Sequence, residues 1–189
     1  MNIGFALCGS FCTYAQVFPV MKLLAQSHNV VPIFSGNSYC TDSRFGTAQE
    51  NIRTASEICG KEPLHTIAQV EPIGPKKLLD ALIIAPCTGN TLAKLAHSIA
   101  DTSVTMAAKS HLRNGRPVII AVSTNDALAG AAENIGKLLG RKHYYFVPFR
   151  QDDAVGKPTS MVADFTRIPD SLHAALEGRQ LQPMILDTR

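Results

Sequence analysis

The sequence predicts a doubly wound α/β fold, with one parallel sheet between two layers of helices. Three observations carry that prediction. Five short apolar runs, at residues 2–7, 30–34, 82–85, 117–122 and 144–148, have the length and near-continuous hydrophobicity of strands buried on both faces. The stretches between them repeat apolar residues at helical spacing. The first four runs end in loops of glycine, hydroxyl and amide residues: CGSFCT, SGNSY, PCTGNT and STND. Strands alternating with helices imply right-handed crossovers between parallel neighbours.

Each element has its own signal. After the first strand, Val17, Val20, Met21 and Leu24 fall on one helical face. Residues 43–59 form a second helix that stops at Gly60, a residue suited to the left-handed turn beyond a helix. Residues 61–75 hold three prolines and read as a loop with a short strand at 65–70. Leu92, Leu95, Ala96 and Ile99 mark the next helix; Asp101 caps another that runs to about residue 114 and is halted by Gly115. Leu128, Ala131, Ala132, Ile135 and Leu138 give a further stripe, and the tail holds one short helix at 171–177. A chain of 189 residues suits one domain spanning 1–189, with 150–189 as a C-terminal loop and short helix packed on it.

Composition narrows the function. The 18 Lys and Arg against 15 Asp and Glu leave a net charge of +3, scattered along the chain, which speaks against a nucleic-acid footprint or a basic membrane anchor. No apolar run is long enough to span a bilayer. Charged residues make up 17%, below the usual quarter, as expected where neighbouring protomers cover part of the surface. Five cysteines without CxxC spacing or a histidine partner point to a reduced, cytoplasmic protein with no metal site. The apolar N-terminus has no Lys or Arg before Lys22, so it reads as a strand and turn rather than an export signal.

In doubly wound sheets, ligands bind beyond the carboxyl ends of the strands. The loops there are nearly free of charge, so a phosphate would be held by backbone N–H groups and hydroxyls. Gly9 permits close backbone approach, and Ser10, Ser35 and Ser38 can donate hydrogen bonds. The plain alternative is that these residues only make turns and caps. Neither a GxGxxG nor a Walker pattern is present. In the third loop, Thr88 and Asn90 could meet the edge of a flat heterocycle without bringing in charge.

The run Ala85-Pro86-Cys87-Thr88-Gly89-Asn90-Thr91-Leu92-Ala93-Lys94, followed by Ile99-Ala100-Asp101 and Thr105, resembles the APxSANTxAK…xADxLxT signature of the flavin-dependent cysteine decarboxylase superfamily. That group includes lantibiotic and phosphopantothenoylcysteine decarboxylases and flavin prenyltransferases. Within it, the Asn125 loop and residues 147–160 resemble the B-subunit family of dipicolinate synthases, flavoprotein-like chains associated with sporulation. The resemblance implies a flavodoxin-like (Rossmann-like) domain, FMN at the strand ends and a homo-oligomer built from trimers. It also implies a partner, the dipicolinate synthase A subunit. Carried over residue by residue, Gly9, Ser10, Ser35 and Ser38 would meet the FMN phosphate, and Thr88, Asn90 and Thr91 the isoalloxazine and ribityl groups.

Two departures matter. Where the decarboxylases keep a catalytic histidine, this chain has Pro72; where they carry PxMN, it reads Val122-Ser123-Thr124-Asn125, keeping only the Asn. Decarboxylation of a peptidyl cysteine is therefore disfavoured, and no catalytic residue is assigned. The resemblance implies instead the oxidation of a dihydropyridine dicarboxylate to its aromatic pyridine, with Asn125, Arg150 and Lys157 as candidate substrate contacts. Arg150 and Lys157 could each take a carboxylate, or stand as solvated charges. Three roles stay open: a flavoenzyme that works with the A subunit, a stand-alone FMN-dependent decarboxylase-type enzyme, and a scaffold without cofactor. His65 and Cys87 are further candidates for acid–base or thiol chemistry, each weighed against an ordinary packing role.

Overall fold

The computed structural model describes residues 1–187; the last two residues of the expected 150–189 segment lie outside the described residues. Five parallel strands, β1 (Asn2–Leu7), β2 (Asn29–Phe34), β3 (Ala81–Cys87), β4 (Val118–Thr124) and β5 (Tyr144–Phe146), are ordered β2-β1-β3-β4-β5. This is the flavodoxin-like order, whose direction of winding reverses between β1 and β3. Two short strands, β6 (Phe149–Arg150) and β7 (Met161–Ala163), add an antiparallel flap, β7 pairing with β4 through Ser123↔Val162 and Thr124↔Met161.

The apolar runs that predict the strands are the core. Every residue of β3 is buried, as only a strand covered on both faces can be. Phe5, Phe34 and Phe146 are among the largest fully buried side chains, each worth roughly 1.5–3 kcal/mol over an exposed position. The long helices α1 (Tyr14–Ala25), α3 (Ala48–Cys59) and α6 (Ser103–Leu112) fall in stretches expected to be helical. Shorter ones are α2 (Gly36–Cys40), α4 (Ile67–Val70), α5 (Gly89–Ala96), α7 (Ala132–Leu139) and α8 (Ile168–Leu176). α1 packs on β2 and β3, α6 on β2, β3 and β4, and α8 on β3, β4 and β5. No helix among the described residues is long and apolar enough to cross a membrane.

Several boundaries differ from expectation, each for a local reason. The expected strand at 65–70 is instead α4, because Thr66 and Gln69 form a reciprocal capping box that starts a helix. Likewise α3 begins at Ala48, not residue 43, because Thr47 and Glu50 form the same motif. That leaves residues 41–47 as a loop. Thr102, not Asp101, caps α6; Asp101 pairs with Lys94 at 2.8 Å. Residues 126–131 turn before α7 starts, β5 ends at Phe146, and α8 starts at Ile168 after a short 3-10 turn. Gly60 does end α3, at a φ of +64°.

Candidate functional site

Three of the strand-end loops meet because their side chains bond one another. Ser10, after β1, lies 2.7 Å from Ser123 at the end of β4, hydroxyl to hydroxyl. Thr91, in the first turn of α5, donates to the Cys8 sulfur at 3.3 Å. A Cβ on Gly9 would sit 3.7 Å from that of Asn37, so the loops after β1 and β2 are also neighbours. At Gly89 a Cβ would fall 2.8 Å from both Thr124 Oγ1 and Asp126 Oδ1; only glycine lets the third loop lie this close to the fourth.

Between these loops lies an open cavity of about 390 Å³, at the β1/β3 switch point and roofed by residues 43–45 and 152–162, a size usual for small-molecule sites. Of the ten positions singled out in the sequence, it brings together five: Gly9, Ser10, Thr88, Asn125 and Lys157. The other five are placed elsewhere. Ser38 is fully buried, donating to Leu7 O at 2.9 Å, with its backbone N–H bonded to the Ser35 hydroxyl at 3.2 Å. Both serines therefore serve the turn into α2. Thr91 is buried as a strut between Thr88 and Cys8. Asn90 is exposed beside the cavity rather than lining it. Arg150 is largely buried in a 2.7 Å ion pair with Asp164 and faces a separate hollow with Gln16.

The cavity's chemistry is polar and mildly cationic. Gly9, Ser10 and Thr88 line one side, and just behind Thr88 the first-turn N–H groups of α5 lack intrahelical acceptors, the kind of donor set that receives an anion. Two cations, Arg44 and Lys157, line it together with one carboxylate, Asp152. Burial alone would raise Asp152, but bonds from the Ser160 hydroxyl and the Lys157 ammonium, 3.2 Å away, hold it below the usual carboxylate range. The segment carrying these groups is pinned to the fourth loop by Thr159, which donates to Asn125 O at 2.6 Å.

The two buried thiols behind the cavity are inert. Burial pushes Cys8 up to about 11, against the lowering effect of the Thr91 and Thr88 bonds, and raises Cys87 well above its ordinary value, so neither is a thiolate at neutral pH. His65 stacks flat on Tyr39, ring centroids 3.7 Å apart, and does not line the cavity. No group of three or more His, Cys, Asp or Glu among the described residues could hold a metal.

Arg44, Phe45, Asp152 and Ser160 line the cavity without having stood out as ligand contacts in the sequence. The Thr47-x-x-Glu50 box, which moves the start of α3 past Arg44, is the signal that would have exposed the first two.

The chain is an α/β protein with a flavodoxin-like sheet order and a polar cavity at its switch point, and it belongs to the Flavoprotein family, which it matches over residues 1–161. It is similar to the dipicolinate synthase B subunit of Bacillus subtilis (strain 168): 42% identical over 187 residues, 98% of this chain and 94% of that one. The crystal structure of the dipicolinate synthase B subunit from Bacillus halodurans C superposes with a TM-score of 0.91 at 40% identity, covering 100% of this chain and 97% of that one. The FMN-dependent cysteine decarboxylase SpaF shares the fold, with a TM-score of 0.70 at 22% identity over 93% and 97% of the two chains.

Proposed function

We propose that this chain is the flavin-binding component of a dipicolinate synthase, working with the A subunit in the cytoplasm to oxidise dihydrodipicolinate to dipicolinate during sporulation. The observation that carries this reading is the cavity itself: Gly9 and the Ser10 and Thr88 hydroxyls on one side, Asn125, Lys157 and Asp152 on the other. The 42% identity to a dipicolinate synthase B subunit supports the substrate.

The residues fit FMN in kind. A Cβ on Gly9 would lie 3.7 Å from that of Asn37, so the start of α2 adjoins the Gly9–Ser10 edge of the cavity, where backbone N–H and hydroxyl groups would form a neutral cradle for the phosphate. Ser35 and Ser38 hold that cradle's shape. Thr88, with Asn90 and Thr91 behind it, would meet the ribityl and ring side. Bound flavin would supply a hydride acceptor, and gain of aromaticity drives the loss of two hydrogens. Lys157 and Asn125 bind and orient the dicarboxylate. Asp152, ionised at neutral pH, accepts at its carboxylate the proton released as the ring becomes aromatic. Arg150 shapes the flap through Asp164 and takes no carboxylate of the substrate.

The chain works as one domain over 1–189, with 150–189 packed on the sheet, and assembles into a homo-oligomer built from trimers. Exposed Ile99, Leu128 and Leu139 are apolar surface that such contacts would cover. The test is reconstitution. Purified chain should take up FMN with a flavin absorbance spectrum, and together with the A subunit should convert dihydrodipicolinate. No uptake of FMN would overturn the cofactor assignment, and full conversion by the A subunit on its own would overturn the catalytic role.

A further inference from the structure

We propose that Arg44, with Phe45 beside it, is the second anchor of the dicarboxylate, taking one carboxylate while Lys157 takes the other. This rests on the reading above that the cavity accepts a pyridine dicarboxylate. Two carboxylates call for two cations, and the cation expected from the tail, Arg150, is consumed by Asp164. The cavity is lined by Arg44 and Lys157. Lys157 already shares its charge with Asp152, whereas Arg44 has no carboxylate partner among the described residues. Arg44 is therefore the uncommitted positive charge at this site.

The loop that carries it is built rather than loose. Ser43 and Gly46 exchange backbone bonds, N–H to carbonyl at 3.0 and 3.2 Å, and the Phe45 N–H is held by the Ser43 hydroxyl at 3.2 Å. Asp42 accepts from the Ala48 N–H at 2.8 Å, and Thr47 caps α3, so the loop is tied down at its far end. Its tip projects two side chains. Phe45 is 51% exposed, and the Arg44 guanidinium stands 4.8 Å from its ring centroid. An aromatic face beside a cationic fork complements a flat ring bearing carboxylates: the ring finds an apolar wall, the carboxylate a bidentate donor. The phosphate side needs no such charge, because its cradle is backbone and hydroxyl.

The test measures binding of dipicolinate to the FMN-loaded full chain by calorimetry, with FMN affinity followed separately by flavin fluorescence. Arg44→Ala should weaken dipicolinate about tenfold or more, Arg44→Lys should recover only part because an ammonium lacks the fork, and Phe45→Ala should cost about threefold. Picolinate, with one carboxylate, should lose no more than about twofold on Arg44→Ala, and FMN affinity should stay within about twofold. Unchanged dipicolinate affinity in Arg44→Ala would overturn the inference and leave the proposed function standing. A tenfold loss of FMN affinity in that variant would also overturn it, reassigning Arg44 to the phosphate. If flavin-loaded wild-type chain binds no dipicolinate, the substrate reading falls and this inference with it.

Discussion

The two walls of the cavity are made differently. The wall formed by residues 9–13 and Thr88 is locked from behind, by residues that do not themselves line the cavity: Ser38 bonds to Leu7, Thr91 to Cys8, and Tyr14 to the Cys8 carbonyl at 3.1 Å. The wall formed by 43–45 and 151–162 carries the charges, is largely exposed, and is held mainly by bonds within its own turns, with Thr159 tying it to Asn125 O. A neutral wall braced by buried bonds suits a resident cofactor. A charged wall on exposed loops, bonded mostly within themselves, suits a ligand that must enter and leave.

Five experiments would break or sharpen that contrast. The largest effect lies in the scaffold beneath both walls. His111 is buried, with Nε2 3.1 Å from Pro117 O, and burial lowers it from 6.5 to about 4. The unfolded chain therefore binds a proton that the fold refuses. Stability should be full above pH 6.5 and fall by about 3 kcal/mol as pH drops to about 4, a slope that His111→Gln should flatten in denaturant titrations. Next, Gly9→Val should weaken FMN about thirtyfold by filling the cradle, with little change in melting temperature, because its Cβ meets nothing closer than 3.7 Å. Equal losses of stability and affinity would show that the locked wall cannot be altered without unfolding it.

Arg150→Gln should cost about 1–2 kcal/mol of stability by melting, given a largely buried pair, and leave dipicolinate affinity unchanged. Asp152→Asn should lower kcat about tenfold while tightening dipicolinate severalfold, since it removes the proton acceptor and frees Lys157. A matched loss in both would mean that Asp152 only positions Lys157. The smallest effect is expected at Thr159→Val, about 0.5–1 kcal/mol by the same melting assay, because the bond it removes is exposed.

The locked wall was readable in the sequence and the charged wall largely was not, for a physical reason. β1 to β4 announce themselves as buried runs, and the small polar residues that follow must sit at their ends whatever the tertiary detail. Which of them face the cavity is another matter. Ser38 and Thr91 look like ligand contacts by type, yet they point inward, because a buried hydroxyl satisfied by Leu7 or Cys8 looks the same in sequence as one left free. On the charged wall, residues far apart in the chain decide the outcome. Arg150 is paired with Asp164, fourteen positions on, and Arg44 falls in a loop because a capping box at Thr47 starts α3 at Ala48. β6 and β7, of two and three residues, are too short to carry a period, so the flap that supplies this wall left no pattern to read.

The central strand β4 bears on how such a protein changes over time. It switches partner along its length, pairing with β5 through residues 118–120 and with β7 through residues 123–124. The match to the Flavoprotein family ends at Met161, where β7 begins. The shared part of the chain thus takes in both walls, Arg44, Asp152 and Lys157 included, and of the cavity's lining only Val162 lies beyond it, on a short clip onto a strand that already has its structural partner. Because β7 joins β4 beyond the residues that pair with β5, the sheet holds together without the clip, and the clip's length can change without unpicking the parallel core.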